Sequence, residues 1–513
     1  MNRISIRILG AAALASAAVA FTVPQASAAA TCHGKAVTVD LSLGQAATAG
    51  SDVVLGTPGS DFVEAGAGND TICAGGGNDV IYGEGDGDWI DGGSGNDKIV
   101  GGPGDDTLAG SYGSDTLGFE GSTTFVNANL STGNVVGEGT DTVDGFEIVA
   151  GTTGGDILTG SAQADVLIGG GGSDSLHGLG GNDVLYAMTP DSSGDATDNA
   201  LFGEEGDDTL YTAAGPNVYD GGPGSDTISF AHATVAIEVH LDVTTSQDTH
   251  EAMAGLAGIE NVTGSEFSDD LWGTVDANRI RGLGGRDFVV ANAGADTVDG
   301  GEGDDYVLGG SGNDHVDGGA GNDHVEGNSG TDTVIGQDGD DSLFGNEDND
   351  TVTGGNGADG VQGGTGNDKL SGGAGNDQLS GDAGNDSIDP GSGDDDINGG
   401  TGSDTLSFAT ASKGITFSLA SASAQNTGGS GHDAAYGVEN LTGSKYSDVL
   451  KGTTGTNVIR GGSGNDRLYG SGGNDKLYGD SGADRLDGGT NTDVCSGGTG
   501  TDTGISCESK SSI

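Results

Sequence analysis

The chain is poor in nearly everything from which a globular core is made. Aromatic residues are 5% of its 513 positions, Pro numbers 7, Cys 4 and Met 3, and 16 basic side chains face 79 acidic ones. So little Pro, without Gly at every third position, excludes a collagen triple helix. A formal net charge of -63 argues against nucleic acid and anionic membrane surfaces as partners and points toward cations. Beyond residue 28 no apolar run is long enough to cross a bilayer, so membrane insertion is not expected. Catalytic signatures are missing as well. His250-Glu251 lacks the second His of a zinc-protease helix, there is no G-x-S-x-G elbow, and the carboxylates are too uniform to single out an acid–base pair. No enzyme is expected. High charge on so few large apolar residues would ordinarily leave a chain disordered. Order must come from a regular repeat, from a counterion, or from both.

What the sequence holds in quantity is Gly, at 107 residues, and Asp kept in register. Aspartates recur every nine residues through a first block: Asp52, Asp61, Asp70, Asp79, Asp88, Asp97, Asp106 and Asp115. A second block holds Asp156, Asp165, Asp174 and Asp183 and, after an insertion around Thr189–Gly194, Asn199, Asp208, Asn217 and Asp226. The third runs without a slip through Asp269, Asn278, Asp287, Asp296, Asp305, Asp314, Asp323, Asp332, Asp341, Asp350, Asp359, Asp368, Asp377, Asp386, Asp395 and Asp404. The fourth is Asp448, Asn457, Asp466, Asp475, Asp484, Asp493 and Asp502. Two residues after nearly every one comes an aliphatic side chain, as at Ile72, Ile81, Val298 and Val307, and before it a Gly-rich turn, as in Gly309-Gly310-Ser311-Gly312-Asn313-Asp314. The unit is G-G-x-G-x-D-x-U-x, with U aliphatic.

Glycine supplies the positive φ that a tight turn needs. The x-U-x stretch is too short for a free strand but long enough for one rung of a solenoid, with U turned inward. Two repeats make a coil, so residues 18 apart stack at about 4.8 Å and the aspartates form ladders. Neighbouring carboxylates at that spacing repel by roughly 3.5 kcal/mol at an effective dielectric near 20. A cation between coils reverses the sign of this contribution. Carboxylate and carbonyl oxygens in a flexible cage of six to eight suit Ca²⁺ better than Mg²⁺ or Zn²⁺, and the stacked pairs leave room for at most about 29 ions.

The expected ligands are Asp61, Asp70, Asp79, Asp97, Asp106 and Asp115 in the first block and Asp174, Asp183, Asp208 and Asp226 in the second. The aspartates in the nine-residue register from Asp287 to Asp404 follow in the third, then Asp466, Asp475 and Asp484 in the fourth. Asn199, Asn217, Asn278 and Asn457 break the carboxylate pattern. The turns into Asp269 and Asp448 carry Phe267 and Tyr446 in place of the third Gly, so these first rungs read as caps.

Residues 1–28 read as a secretory signal peptide: Arg3 and Arg7, an apolar run from Ile8 to Val23, then Ala26-Ser27-Ala28 as a cleavage site. The remainder is expected to be secreted and extracellular. Its cysteines fall as one pair at each end, so Cys32–Cys73 and Cys495–Cys507 are the favoured disulfides among three connectivities. The expected organisation is an N-cap and first roll over 29–117, a connector over 118–150 and a second roll over 151–228. A connector over 229–263, a third roll over 264–406, a connector over 407–442, and a fourth roll with its C-terminal cap over 443–513 complete it. The connectors share texts such as Ile259-Glu260-Asn261-Val262-Thr263-Gly264-Ser265 and Val438-Glu439-Asn440-Leu441-Thr442-Gly443-Ser444, and are expected to cap one roll and restart the next.

On these repeats the chain resembles the hemolysin-type (RTX) calcium-binding repeat family, and within it secreted proteins made of repeats alone. The resemblance implies an all-β fold, a parallel β-roll or β-solenoid in four blocks joined by short β connectors. It also implies several Ca²⁺ ions as the only cofactor and folding outside the cell. A calcium-dependent structural or adhesive surface protein is the alternative, with a cell-surface or matrix partner of unknown identity. Phe288 and Tyr306, 18 apart at outward positions beside Val290 and Leu308, are the feature that favours it. Mixed outward residues along the third block argue against an ice-binding Thr ladder.

Overall fold

The structure, a computed structural model, describes residues 30–188, 197–250 and 253–511; the expected signal peptide and the Thr189–Gly194 insertion lie outside these. The fold is all-β. Leu41–Leu43, one turn of 3-10 helix, is the only helix among the described residues. Every aliphatic U residue points inward, with Ile72, Ile81, Val307 and Val316 all at 0% exposure. Three-residue rungs cannot persist alone. Each is held by in-register parallel pairing to the rung 18 residues on, as Ile72 to Ile90 and Val298 to Val316. Burial of each U adds roughly 1.5–3 kcal/mol. The core is thus a single file of Val, Leu and Ile between two walls.

One wall is a single sheet of 23 strands, running from Phe62–Glu64 to Ser509–Ser511. The opposite wall is divided into sheets of 14, 12 and 5 strands. The divided wall breaks where the second and third connectors begin, at Glu238–His240 and Thr416–Ser418, each the first strand of a new sheet. In both places a glutamine mimics the missing strand. Gln247 and Gln425 accept the amides of His240 and Ser418 at 2.9 Å and donate Nε2 to the carbonyls of the same residues.

The connectors do not cap one roll and start another. On the continuous wall Leu117 pairs directly with Val149, Ile228 with Val262, and Leu406 with Leu441, so the coil resumes on the rung it left. The connectors also add rungs of their own, such as Val239 on Leu271 and Phe417 on Leu450. The reason is that the restart texts carry the same inward residue as an ordinary rung, Val149, Val262 and Leu441. The insertion in the second block is passed in the same way, with Leu176 paired to Leu201. Disulfides close both ends: Cys32–Cys73 with Cα atoms 5.7 Å apart, and Cys495–Cys507 at 5.9 Å.

Candidate metal centre

The turn before Asp314 shows what each glycine does. Gly310 and Gly312 have φ of +110° and +137°, and a Cβ on either would collide with the carbonyl of Asn292 or Gly294 on the coil below. Gly309 has ordinary φ, but a Cβ there would lie 2.8 Å from Asp314 Oδ2. The first glycine thus clears a space for the carboxylate, and the other two let successive turns nest.

Stacking joins the aspartates into two columns. Each Asp amide donates to Oδ1 of the Asp one coil on: Asp287 to Asp305 and Asp305 to Asp323 at 2.8 Å in one column, Asp314 to Asp332 and Asp332 to Asp350 at 2.8 Å in the other. That bond uses one carboxylate oxygen. The other, Oδ2, is buried and has no hydrogen-bond partner at Asp70, Asp79, Asp97, Asp106, Asp115, Asp183, Asp208 and Asp226, at each aspartate in register from Asp287 to Asp404, and at Asp466, Asp475 and Asp484. Asp174 stands in the same column, its Oδ1 accepting the Asp156 amide at 2.7 Å.

Asp61 differs from the other expected ligands, because Thr57 satisfies its carboxylate through the backbone amide at 2.6 Å and the hydroxyl at 3.2 Å. Asp88 and Asp493, outside the expected set, do carry the unpartnered Oδ2. Their turns depart from the consensus but hold the same shape. Glu84 and Asn491 take positive φ in place of glycine, at +75° and +87°.

Burial pushes the Asp287 carboxyl up to about 8 and those of Asp296, Asp323, Asp350 and Asp466 up to about 7, against opposing amide hydrogen bonds, and neighbouring carboxylates push them further. Buried, mutually repelling and half-satisfied, these groups require a positive partner.

Two kinds of position stand apart, although Asp165, among the first kind, keeps a buried Oδ1 without a partner. At the first two rungs of every block a Ser or Thr stands four residues before the Asp or Asn and donates to it. These are Thr48, Thr57, Thr152, Ser161, Ser265, Thr274, Ser444 and Thr453. At Asp52 burial pushes the carboxyl up, but bonds from Thr48 and Thr38 outweigh it and hold the group below its ordinary value. Asn278 and Asn457 also use their extra donor, giving Nδ2 to the carbonyls of Glu260 and Glu439 at 2.6 Å.

At the far end of each block a glutamate takes the last amide: Glu147 from Asp115, Glu260 from Asp226, Glu439 from Asp404 and Glu508 from Asp493. Reasoning from the nonapeptide alone missed both groups. The signal for them was present in the G-[ST]-x-x-x-[DN] openings and in the Glu repeated at the connector ends.

A divalent cation fits this column. Each coil offers a hard, uncommitted carboxylate oxygen beside carbonyl-rich glycine turns, which is an oxygen set for Ca²⁺. The residues that would hold it are the aspartates with an unpartnered Oδ2 and the glycine-turn carbonyls next to them. The molecule is by these features a parallel β-solenoid whose turns stack buried aspartates into two columns.

The profile of the RTX calcium-binding nonapeptide repeat matches residues 47–117, 150–185, 193–228, 255–406 and 442–503. The chain belongs to that family. No curated protein matches the sequence.

Proposed function

We propose that the protein is a secreted calcium-binding protein whose folding is coupled to the uptake of many Ca²⁺ ions. The observation that carries this reading is the series of buried Oδ2 atoms without partners, unbroken in register from Asp287 to Asp404. Calcium, when bound, supplies the positive charge and hard Lewis-acid centre that these oxygens lack. The residues do the rest. The aspartate amides fix Oδ1, the glycines keep Oδ2 clear of side chains, and the turns hold carbonyls beside it. In the unfolded chain no two of these groups are together, so ion binding and folding are one linked equilibrium.

At the first rung of each block, Asp52, Asp156, Asp269 and Asp448, both carboxylate oxygens accept hydrogen bonds, so each block has a starting point that needs no ion. The signal-like segment before residue 29 supports this reading, since millimolar calcium outside the cell matches weak extracellular sites. Catalysis forms no part of this reading.

A structural or adhesive surface role is the second reading, favoured by one observation. His240, Trp272, Phe288, Tyr306, His324 and Phe344 form a continuous stack of rings on the outer face of one wall, neighbouring centroids 4.0–5.8 Å apart. That role would also depend on calcium, with a cell-surface or matrix component on the ring edges.

The test is far-UV circular dichroism of residues 29–513, titrated with Ca²⁺ after chelation. A transition from disordered to β spectrum at sub-millimolar to millimolar Ca²⁺, not reproduced by Mg²⁺, is expected. A β spectrum indifferent to chelator would overturn the coupling.

A further inference from the structure

On the outer face of the 12-stranded sheet, one row of side chains runs Phe344, Gln362, Ser380, Asn398 and Tyr436 on successive paired rungs. A ring therefore stands at each end, about 19 Å from the other at one rung per ~4.8 Å. Phe344 is the last ring of the stack described above. Tyr436 is 50% exposed and belongs to the strand that the third connector adds, His432–Tyr436. Between the two rings lies an open groove of about 280 Å³.

The groove contains a glycine that the fold does not ask for. Asp359 is the only residue in the nine-residue register that is followed by Gly. The same place holds Ser342 and Gln378 on the rungs to either side. Gly360 has no positive φ, and a Cβ there would meet nothing nearer than the Asp341 carbonyl at 3.7 Å. Glycine inside a strand costs about 0.5–1 kcal/mol relative to Ala. Neither a turn nor close packing accounts for it here. A missing side chain that leaves space above the backbone is what the approach of a ligand requires.

The polar groups around that space are already held. Asp382 accepts from Gln362 Nε2 and, at 2.7 Å, from Ser380 Oγ, which in turn accepts from Asn398 Nδ2 at 3.4 Å. The amide oxygens of Gln362 and Asn398 stay uncommitted, and the Gln378 side chain makes no hydrogen bond within the chain. Amides thus stand on three successive rungs. Asp396 is the one charged residue lining the groove, and no Lys or Arg lines it, so a polyanion would find no partner there. An uncharged strip of amides between two rings matches a hydroxyl-rich, uncharged chain. Sugar hydroxyls both give and accept hydrogen bonds, and the C–H faces of sugar rings pack on aromatic carbon.

We propose that this groove binds a neutral polysaccharide laid along the solenoid axis between Phe344 and Tyr436. The proposal rests on the surface-partner reading above and deepens it, naming the partner's chemistry and its place on the wall.

Binding of the calcium-loaded secreted chain to an array of neutral glucans, mannans, galactans and chitin fragments, with sulfated glucans beside them, tests it. At least one neutral polymer should bind, and Gly360→Gln and Tyr436→Ala should each weaken that binding about tenfold or more. Gly360→Gln fills the groove with the side chain of the next rung and removes a strand glycine. Its urea midpoint should match or exceed that of the wild type, which separates a blocked groove from a damaged fold. Tyr436→Ala reaches the same groove at an exposed side chain, without altering the glycine. Trp272→Ala, in the ring stack but outside the groove, should bind as the wild type does. Binding unchanged by Gly360→Gln and Tyr436→Ala overturns the proposal; if Trp272→Ala abolishes it instead, the partner sits on the ring edges and the surface-partner reading stands without the groove. Binding to sulfated polymers alone, or to none on the array, also overturns the proposal and leaves that reading to a partner of other chemistry.

Discussion

Removing the hydroxyl of Ser265 should loosen the start of the third block whether or not calcium is present. Ser265 is fully buried, its Oγ lying 2.8 and 3.0 Å from the two oxygens of Asp269 and accepting the Phe267 amide at 3.1 Å. Ser265→Ala deletes a charge-assisted bond and strands an amide, a loss of about 3 kcal/mol and thus roughly 150-fold in exchange protection. The loss should be read over 235–241 and 268–273. Those peptides are tied together by the Ile237 amide on Asp269 Oδ1 and the Asp270 amide on the Ile237 carbonyl, both at 2.9 Å. Ser265→Thr supplies the control, because Thr48, Thr57, Thr152, Thr274 and Thr453 fill the same place on other opening rungs. It should stay within about threefold of wild type. A Ser265→Ala protein equally close to wild type would refute the idea that hydroxyls stand in for the cation at block starts. So would a Thr variant as damaged as the Ala one.

Two glycines should separate turn from wall in urea denaturation of the calcium-loaded protein. Gly321→Ala, at φ +141° and against the Gly303 carbonyl, should destabilise by at least about 2 kcal/mol. Gly360→Ala, on an outward strand position with its nearest atom at 3.7 Å, should stabilise by about 0.5–1 kcal/mol; the reverse order would contradict the geometry of the turn. In chelator, pH should act through carboxyls that burial raises to between about 6 and 8, from Asp332 and Asp377 to Asp287. The metal-free fold binds more protons than the unfolded chain between about pH 4 and 8, so its stability rises as pH falls through that window. The β signal in circular dichroism should grow on acidification from pH 7.5 to 4.5. A flat or falling signal would show that the apo columns are not limited by carboxylate charge.

The sequence by itself determined the coil. A nine-residue period with one aliphatic per unit leaves only one way to bury Ile72, Val307 and Leu468, and a coil of two repeats necessarily stacks Asp on Asp. The columns and the inward file were legible because each depends on residues at fixed separation, and the disulfides because the four cysteines fall as one pair at each end. What the tertiary structure decided is which carboxylates are left wanting. Asp61 and Asp70 share the nine-residue register, and the contact with Thr57 shows what the Thr in place of glycine means, that the first is already satisfied. Glu439 enters its column across 35 residues, through an excursion of no fixed length, so the nine-residue period could not place it. Continuity of the wall beneath the connectors has the same origin. Leu406 meets Leu441 because the coil's hydrogen bonds below are waiting for any strand that can complete them, whatever length of chain lies between.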